Sequence, residues 1–79
     1  MIATGMATSD LDLVGLKCPL PALKLRKALT RVAPGDVMIV TCTDPLAAID
    51  IPNLLRETGD TLDDTRRDGE RLVFTVRKA

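Results

Sequence analysis

The spacing of hydrophobic side chains changes along the chain, and each change predicts a different structural element. Residues 10–14 alternate polar and apolar side chains, which predicts a short strand buried on one face. From Pro21 the apolar side chains recur at helical spacing, so a first helix is expected between Pro21 and the turn at Pro34-Gly35. The apolar stripe of that helix consists of Leu25, Ala28, Leu29 and Val32.

The middle of the chain predicts a buried strand followed by a second helix. Residues 36–43 are β-branched and apolar on both faces at their centre, as in a central strand. Asp44 is expected to be the N-cap of the second helix, with Pro45 at its first position and Gly59 at its end. Because Pro52 lacks a backbone donor, the helix is expected to kink or restart there.

The last third of the chain predicts a β-hairpin. Residues 61–67 are polar and charged, which suits an edge strand, and Asp68-Gly69 is the expected two-residue turn. The final strand alternates clearly and places Leu72, Phe74 and Val76 on one face. The order β-α-β-α-β-β predicts an α+β fold, a two-layer α/β sandwich with a four-stranded mixed sheet and two helices on one face.

The chain length allows one domain. It has 79 residues, of which 46% are hydrophobic, and Phe74 is the only aromatic residue, so an aliphatic core is expected. The N-terminal residues lack the features of a secretory signal. We expect residues 1–8 to be a flexible N-terminal tail and residues 9–79 to be the domain. No stretch approaches the roughly 20 apolar residues of a membrane helix, so a cytoplasmic protein with no membrane partner is expected.

The absence of histidine excludes several kinds of chemistry. The chain has no histidine and two cysteines. It therefore has no Cys–His dyad, no histidine base and no histidine-ligated metal. Two thiols neither form a disulfide framework nor fill a four-ligand zinc site, and in the cytoplasm they are expected to be reduced.

Cys18 is the candidate reactive residue, because it lies where the first strand leads into the first helix. A helix N-terminus lowers the pKa of a thiol, and Lys17 and Lys24 are placed to stabilise a thiolate or persulfide anion. Pro19 and Pro21 stiffen the loop and are expected to present Cys18 outward. Since neither proline has an N–H to offer the sulfur, only a moderate lowering of the pKa is expected.

Two features allow a structural as well as a functional interpretation. Cys18 itself is alternatively an ordinary small residue near a loop, and Cys42, in phase with Met38 and Val40, is interpreted as a core residue. Residues 16–33 contain no acidic residue, so their basic side chains form either a solvated helix face or a docking surface for an acidic partner. These basic residues are Lys17, Lys24, Arg26, Lys27 and Arg31.

An ordered set of short motifs resembles the TusA/SirA-like sulfur-carrier family over roughly residues 9–79. The motifs are Cys18-Pro19-Leu20-Pro21 followed by a basic helix, Thr43-Asp44-Pro45, Asp50-Ile51-Pro52 and Thr58-Gly59. The resemblance implies the same β-α-β-α-β-β sandwich. It also implies that Cys18 accepts sulfane sulfur as a persulfide from a cysteine desulfurase or rhodanese-type donor and relays it to a downstream acceptor protein.

The resemblance also assigns roles around the cysteine. Pro19 and Pro21 become positioning residues, and Lys17, Lys24 and Lys27 are interpreted as anion-stabilising or docking residues. The aspartates and prolines of the later motifs are interpreted as structural. Members often carry an aromatic residue and a cysteine after the second proline, and a histidine after the glycine, where this chain has Asn53, Leu54, Leu55 and Asp60.

Family members serve tRNA thiolation, sulfur oxidation or cofactor synthesis, and the sequence leaves the pathway open. The expected protein is a sulfurtransferase-like carrier without independent turnover, with no cofactor other than the covalent persulfide. One alternative is a small regulatory or nucleic-acid-binding module with a structural cysteine, although zero net charge and the lack of aromatic candidates argue against direct nucleic-acid binding. Another is a thiol redox module that uses Cys18 and Cys42.

Overall fold

The computed structural model describes residues 7–79 and shows the predicted order of elements. A single sheet has the strand order β1-β2-β4-β3, in which β1 and β2 are parallel and the other neighbours antiparallel. The predicted α+β sandwich with a mixed four-stranded sheet is therefore confirmed. The elements are β1 (Thr8–Leu13), α1 (Leu20–Leu29), β2 (Val37–Cys42), α2 (Ala47–Thr58), β3 (Thr61–Asp68) and β4 (Arg71–Arg77).

The core lies between the helices and one face of the sheet. Alternate residues of β2 and β4 are buried, and they meet the apolar stripes of α1 and α2. Cys42 is fully buried in this core, as the sequence predicts, and burial raises its pKa to about 11. The largest fully buried side chains are Phe74, Leu13, Leu25, Ile51, Val40 and Val76, together with Cys42.

The N-terminal strand extends further than the sequence predicts. β1 includes Thr8, and the N–H of Val37 donates to the carbonyl oxygen of Ala7 at 2.9 Å. Of the last two residues of the expected tail, Thr8 therefore belongs to the sheet and Ala7 is hydrogen-bonded to the start of β2. The remaining tail residues, 1–6, lie outside the described part of the chain.

The second helix begins later than expected and is continuous. It starts at Ala47, and Asp44 is not its N-cap; instead the Asp44 carboxylate accepts the N–H of Leu46 at 3.0 Å in the preceding turn. Pro52 lies inside α2, so a restart there is wrong. Gly59 ends the helix as predicted, with a φ of 83° that favours glycine.

The hairpin has the expected edge strand and a turn displaced by one residue. β3 lies at the edge of the sheet, as predicted. Asp68 pairs with Arg71, so the two turn residues are Gly69 and Glu70, not Asp68 and Gly69. Gly69 supplies the positive φ, 62°, that a tight hairpin turn requires.

Asp60, which directly precedes β3, is bonded to the last two residues of the chain. Its buried carboxylate accepts the N–H of Ala79 at 2.8 Å and the hydroxyl of Thr58 at 2.7 Å, and the Lys78 ammonium lies 3.7 Å away. Burial by itself would raise the pKa of Asp60, but these hydrogen bonds and the charge of Lys78 outweigh it. The pKa of Asp60 is therefore held below its ordinary value.

Asp60→Asn is expected to lower the free energy of unfolding at about pH 7 by about 1–3 kcal/mol, because a buried, charged hydrogen-bond acceptor is lost. A lowered folded-state pKa stabilises the fold above the unfolded value of about 3.9, and this stabilisation disappears as the pH falls through the folded pKa. Urea unfolding followed by circular dichroism at about pH 7 and about pH 3 tests this. Asp64→Asn, at an exposed position of β3, is the control, and an equal loss of stability in the wild type and Asp60→Asn on acidification would contradict the prediction.

Candidate functional site

Sheet topology brings two loops together at one edge. β1 and β2 are parallel neighbours, and their last residues, Leu13 and Cys42, are paired. The connections from β1 to α1 and from β2 to α2 therefore leave the sheet side by side. They are joined directly, because the N–H of Gly15 donates to the hydroxyl oxygen of Thr43 at 2.8 Å. Gly15 has a φ of 85°, which a residue with a side chain adopts only with strain.

Cys18 projects from the first of these loops. It is exposed, as the sequence predicts, and it directly precedes Pro19, the N-cap of α1. The helix starts at Leu20, one residue earlier than expected, so Pro21 is its second residue and is buried. The two prolines thus fix the path of the chain on the C-terminal side of the cysteine.

Two carboxylates, from the loop between β2 and α2 and from the first turn of α2, accept hydrogen bonds from Cys18. Its N–H donates to Asp44 Oδ2 at 2.6 Å, and its Sγ–H donates to Asp50 Oδ2 at 2.8 Å. Asp44 also accepts the N–H of Leu46, so it connects the two loops. The sequence interpretation of Asp44 and Asp50 as merely structural missed these contacts with the candidate residue.

The acidic residues around Cys18 raise the pKa of its thiol, whereas the sequence predicts a lowered pKa. The hydrogen bond to Asp50 contributes most to raising the pKa of Cys18, followed by partial loss of hydration and by the negative charges of Asp50 and Asp44. The predicted lowering of the Cys18 pKa is therefore wrong. Hydrogen bonds from Leu46 and Cys18, and the charge of Lys17, hold the pKa of Asp44 below its ordinary value, so this carboxylate stays charged near neutral pH.

The start of α1 offers the sulfur few compensating donors. Pro19 and Pro21 have no N–H. The N–H of Leu20 is already bonded to the carbonyl oxygen of Lys17 at 2.8 Å. The favourable effect of a helix N-terminus depends on N–H groups that face the anion, but the hydrogen-bond partner of the Cys18 sulfur is a carboxylate.

Cys18 lies between two surface hollows. The first, of about 510 Å³, is formed by the two loops, and the second, of about 320 Å³, lies between α1 and α2. Asp44 and Lys17 border the first hollow, whereas Asp50 borders the second. Arg26 and Glu57 also border the second hollow and form an ion pair with a nitrogen–oxygen distance of 2.8 Å.

Exposed apolar side chains lie in the Cys18 loop, on the first turns of α1 and at the start of α2, and two of them, Leu23 and Leu46, border the hollows that Cys18 also borders. Together they form a surface suited to contact with another molecule. Lys17 borders the first hollow, but Lys24 and Lys27 border neither hollow. The exposed large apolar residues are Val14, Leu20, Leu23, Leu46 and Ile49.

The protein is a small thiol protein: a β-α-β-α-β-β sandwich with an exposed cysteine in the loop between β1 and α1. Sequence comparison identifies its family. The sequence model of the family described as sulfurtransferase TusA matches residues 9–78. The chain therefore belongs to the TusA family.

Individual relatives agree with this assignment. The sulfur carrier protein TusA of Allochromatium vinosum is 34% identical over 70 residues, which cover 89% of this chain and 92% of that protein. A Neisseria meningitidis protein described as a candidate sulfur carrier is 44% identical over 72 residues, covering 90% of this chain and 93% of the relative. The crystal structure of a SirA-like protein from Desulfitobacterium hafniense has the same fold, with a TM-score of 0.77 at 20% identity, covering 87% of this chain and 95% of that one.

Within residues 7–79, neither α1 nor α2 is long and apolar enough to cross a membrane.

Proposed function

We propose that this protein is a sulfur carrier that accepts sulfane sulfur as a persulfide on Cys18 and relays it to a partner protein. The observation that carries the proposal is the exposure of the Cys18 thiol between two hollows and a set of apolar side chains, while Cys42 is fully buried. The family assignment and the names of the relatives support sulfur as the cargo. We propose no cofactor other than the persulfide itself.

The proposed transfer is an exchange between sulfur atoms. The sulfur of Cys18 attacks the terminal sulfur of a persulfide on the donor protein. A sulfur–sulfur bond forms at Cys18, the corresponding bond in the donor breaks, and the donor cysteine leaves as a thiolate. The proton of the Cys18 thiol passes to solvent. Because the second transfer repeats the same exchange toward an acceptor, the relay needs no external oxidant or reductant.

The proposed partners are a cysteine desulfurase or rhodanese-type donor and a downstream acceptor protein. The apolar side chains around Cys18 would be covered in such a complex. Lys17 is proposed to stabilise the anion, and exposed Lys24 and Lys27 to dock an acidic partner. A reducing cytoplasm is the proposed location, since it keeps the acceptor thiol free.

Two structural observations weigh against the alternatives. A redox pair would need Cys42 as its second thiol, but Cys42 is fully buried with a pKa of about 11, so it is protonated at neutral pH. Modules that bind single-stranded nucleic acid commonly stack bases on exposed aromatic side chains. Phe74, the only aromatic residue, is fully buried and cannot serve this purpose.

The test is to incubate the purified protein with a cysteine desulfurase and cysteine, and to measure its intact mass. The expected result is a gain of one sulfur atom, which dithiothreitol removes and which peptide mapping assigns to Cys18. A parallel mixture without cysteine shows whether the added mass comes from the desulfurase reaction. If neither the desulfurase nor a persulfidated rhodanese produces the gain, the proposal is wrong.

A further inference from the structure

The contact between Asp50 and Cys18 is not needed for a cysteine to carry sulfur. Asp50 lies in the first turn of α2, and its Oδ2 accepts the Sγ–H at 2.8 Å. A carboxylate at this position favours the thiol over the thiolate, which is the nucleophilic form. The contact therefore lowers the fraction of Cys18 that is present as the nucleophilic thiolate.

The charges around the thiol leave this effect largely uncompensated. Neither Asp50 nor Asp44 takes part in the ion pairs formed among residues 7–79, which are Arg26–Glu57, Arg77–Asp63 and Lys78–Asp60. Lys17 helps to lower the pKa of Asp44, whereas the pKa of the Cys18 thiol is raised by Asp50, by partial loss of hydration and by Asp44. Of the charged side chains that border the second hollow with Cys18, Arg26 and Glu57 are paired with each other, whereas Asp50 is hydrogen-bonded to the thiol.

We propose that Asp50 determines the selectivity of Cys18: its carboxylate holds the sulfhydryl hydrogen and slows reactions with free disulfides, while transfer from a docked sulfur donor proceeds. This inference rests on the proposed sulfur-carrier function. Cys18 and Asp50 border the same hollow, so a partner that fills the hollow contacts both residues. A hydrogen-bond donor or a cation that the partner directs at the Asp50 carboxylate frees the Cys18 thiol within the complex.

The reaction that competes with sulfur transfer is thiol–disulfide exchange with a small disulfide. The thiolate of Cys18 attacks one sulfur of a low-molecular-weight disulfide such as oxidised glutathione. A mixed disulfide forms, the original sulfur–sulfur bond breaks, and one glutathione leaves as a thiolate. The disulfide is thus the oxidant, the thiol proton goes to solvent, and the product is a carrier that no longer accepts sulfur.

The experiment compares the full-length wild type with Asp50→Asn, Asp50→Glu and the control Asp64→Asn. Each protein is treated with oxidised glutathione and, separately, with iodoacetamide across a range of pH. Asp50→Asn is expected to react roughly three- to tenfold faster at neutral pH, because loss of the nearby charge increases the thiolate fraction more than it lowers nucleophilicity. The midpoint of its rate–pH profile moves to lower pH, whereas Asp50→Glu and Asp64→Asn retain slow reactions.

Sulfur uptake from a desulfurase is then measured in a single turnover. In Asp50→Asn the ratio of the glutathione rate to the sulfur-uptake rate is expected to rise at least about threefold, because the docked partner already frees the wild-type thiol during uptake. The inference is overturned if Asp50→Asn reacts with oxidised glutathione no faster than the wild type, or if its sulfur uptake accelerates to the same degree. Circular dichroism confirms that all variants are folded.

The outcome separates this inference from the proposed function. Wild-type protein that takes up sulfur on Cys18, with unchanged thiol kinetics in Asp50→Asn, leaves the sulfur-carrier function standing and removes the role of Asp50. Wild-type protein that takes up no sulfur overturns both the function and the selectivity that depends on it, even if the Asp50→Asn kinetics shift.

Discussion

Cys18→Ser is expected to take up no sulfur from a cysteine desulfurase, a complete loss of the proposed activity. Serine retains a hydroxyl that can donate to Asp50, and residue 18 is exposed, so the substitution leaves the packing intact. Without a sulfur atom at this position, no persulfide can form there. Intact-mass measurement after incubation with a desulfurase and cysteine provides the readout.

Cys42→Ala is the matched control for this loss. Cys42 is the only other cysteine in the chain, and it is fully buried beneath the helices. This variant is expected to lose some stability through the small cavity it creates, and to take up sulfur as the wild type does. Sulfur uptake that persists in Cys18→Ser and disappears in Cys42→Ala would assign the reactive thiol to Cys42 and contradict the proposed site.

The fold is predictable from the sequence because its determinants are local. The alternation around Phe74, the helical stripe that contains Leu25 and the glycine at position 59 each specify an element through neighbouring residues. Errors occur at element ends, where one hydrogen bond decides the boundary. The turn at Gly69-Glu70 is an example, because pairing of Asp68 with Arg71 extends both strands beyond the Asp68-Gly69 signal.

The environment of Cys18 is less predictable because its contacts are distant in sequence. Asp44 and Asp50 lie 26 and 32 residues from the cysteine, and a local rule for helix N-termini gave the wrong direction for its pKa. A topological signal was nevertheless available. If β1 and β2 are parallel neighbours, their following loops meet at one edge, so acidic residues at the start of the second helix approach Cys18.

Phe74→Ala is expected to reduce the free energy of unfolding by about 3–5 kcal/mol. Phe74 is the largest of the fully buried side chains, and in the centre of the sheet its backbone pairs with Val40 on one side and Thr65 on the other. The rest of the core is aliphatic, so no other aromatic ring can fill the space. Small domains lie toward the lower end of the usual stability range of about 5–15 kcal/mol, so this loss brings the protein close to unfolding.

Urea unfolding followed by far-ultraviolet circular dichroism measures this effect, since the chain has no tryptophan or tyrosine to serve as a fluorescent reporter. Val73→Ala is the matched control, because Val73 precedes Phe74 in β4 and its side chain points to the opposite, helix-free face of the sheet, where it is only partly buried. Phe74→Leu retains most of the apolar volume and is expected to fall between the two. If Phe74→Ala costs no more than Val73→Ala, the core is not organised around this ring. A large loss confined to Phe74→Ala indicates instead that the ring supports the sheet from which the Cys18 loop emerges.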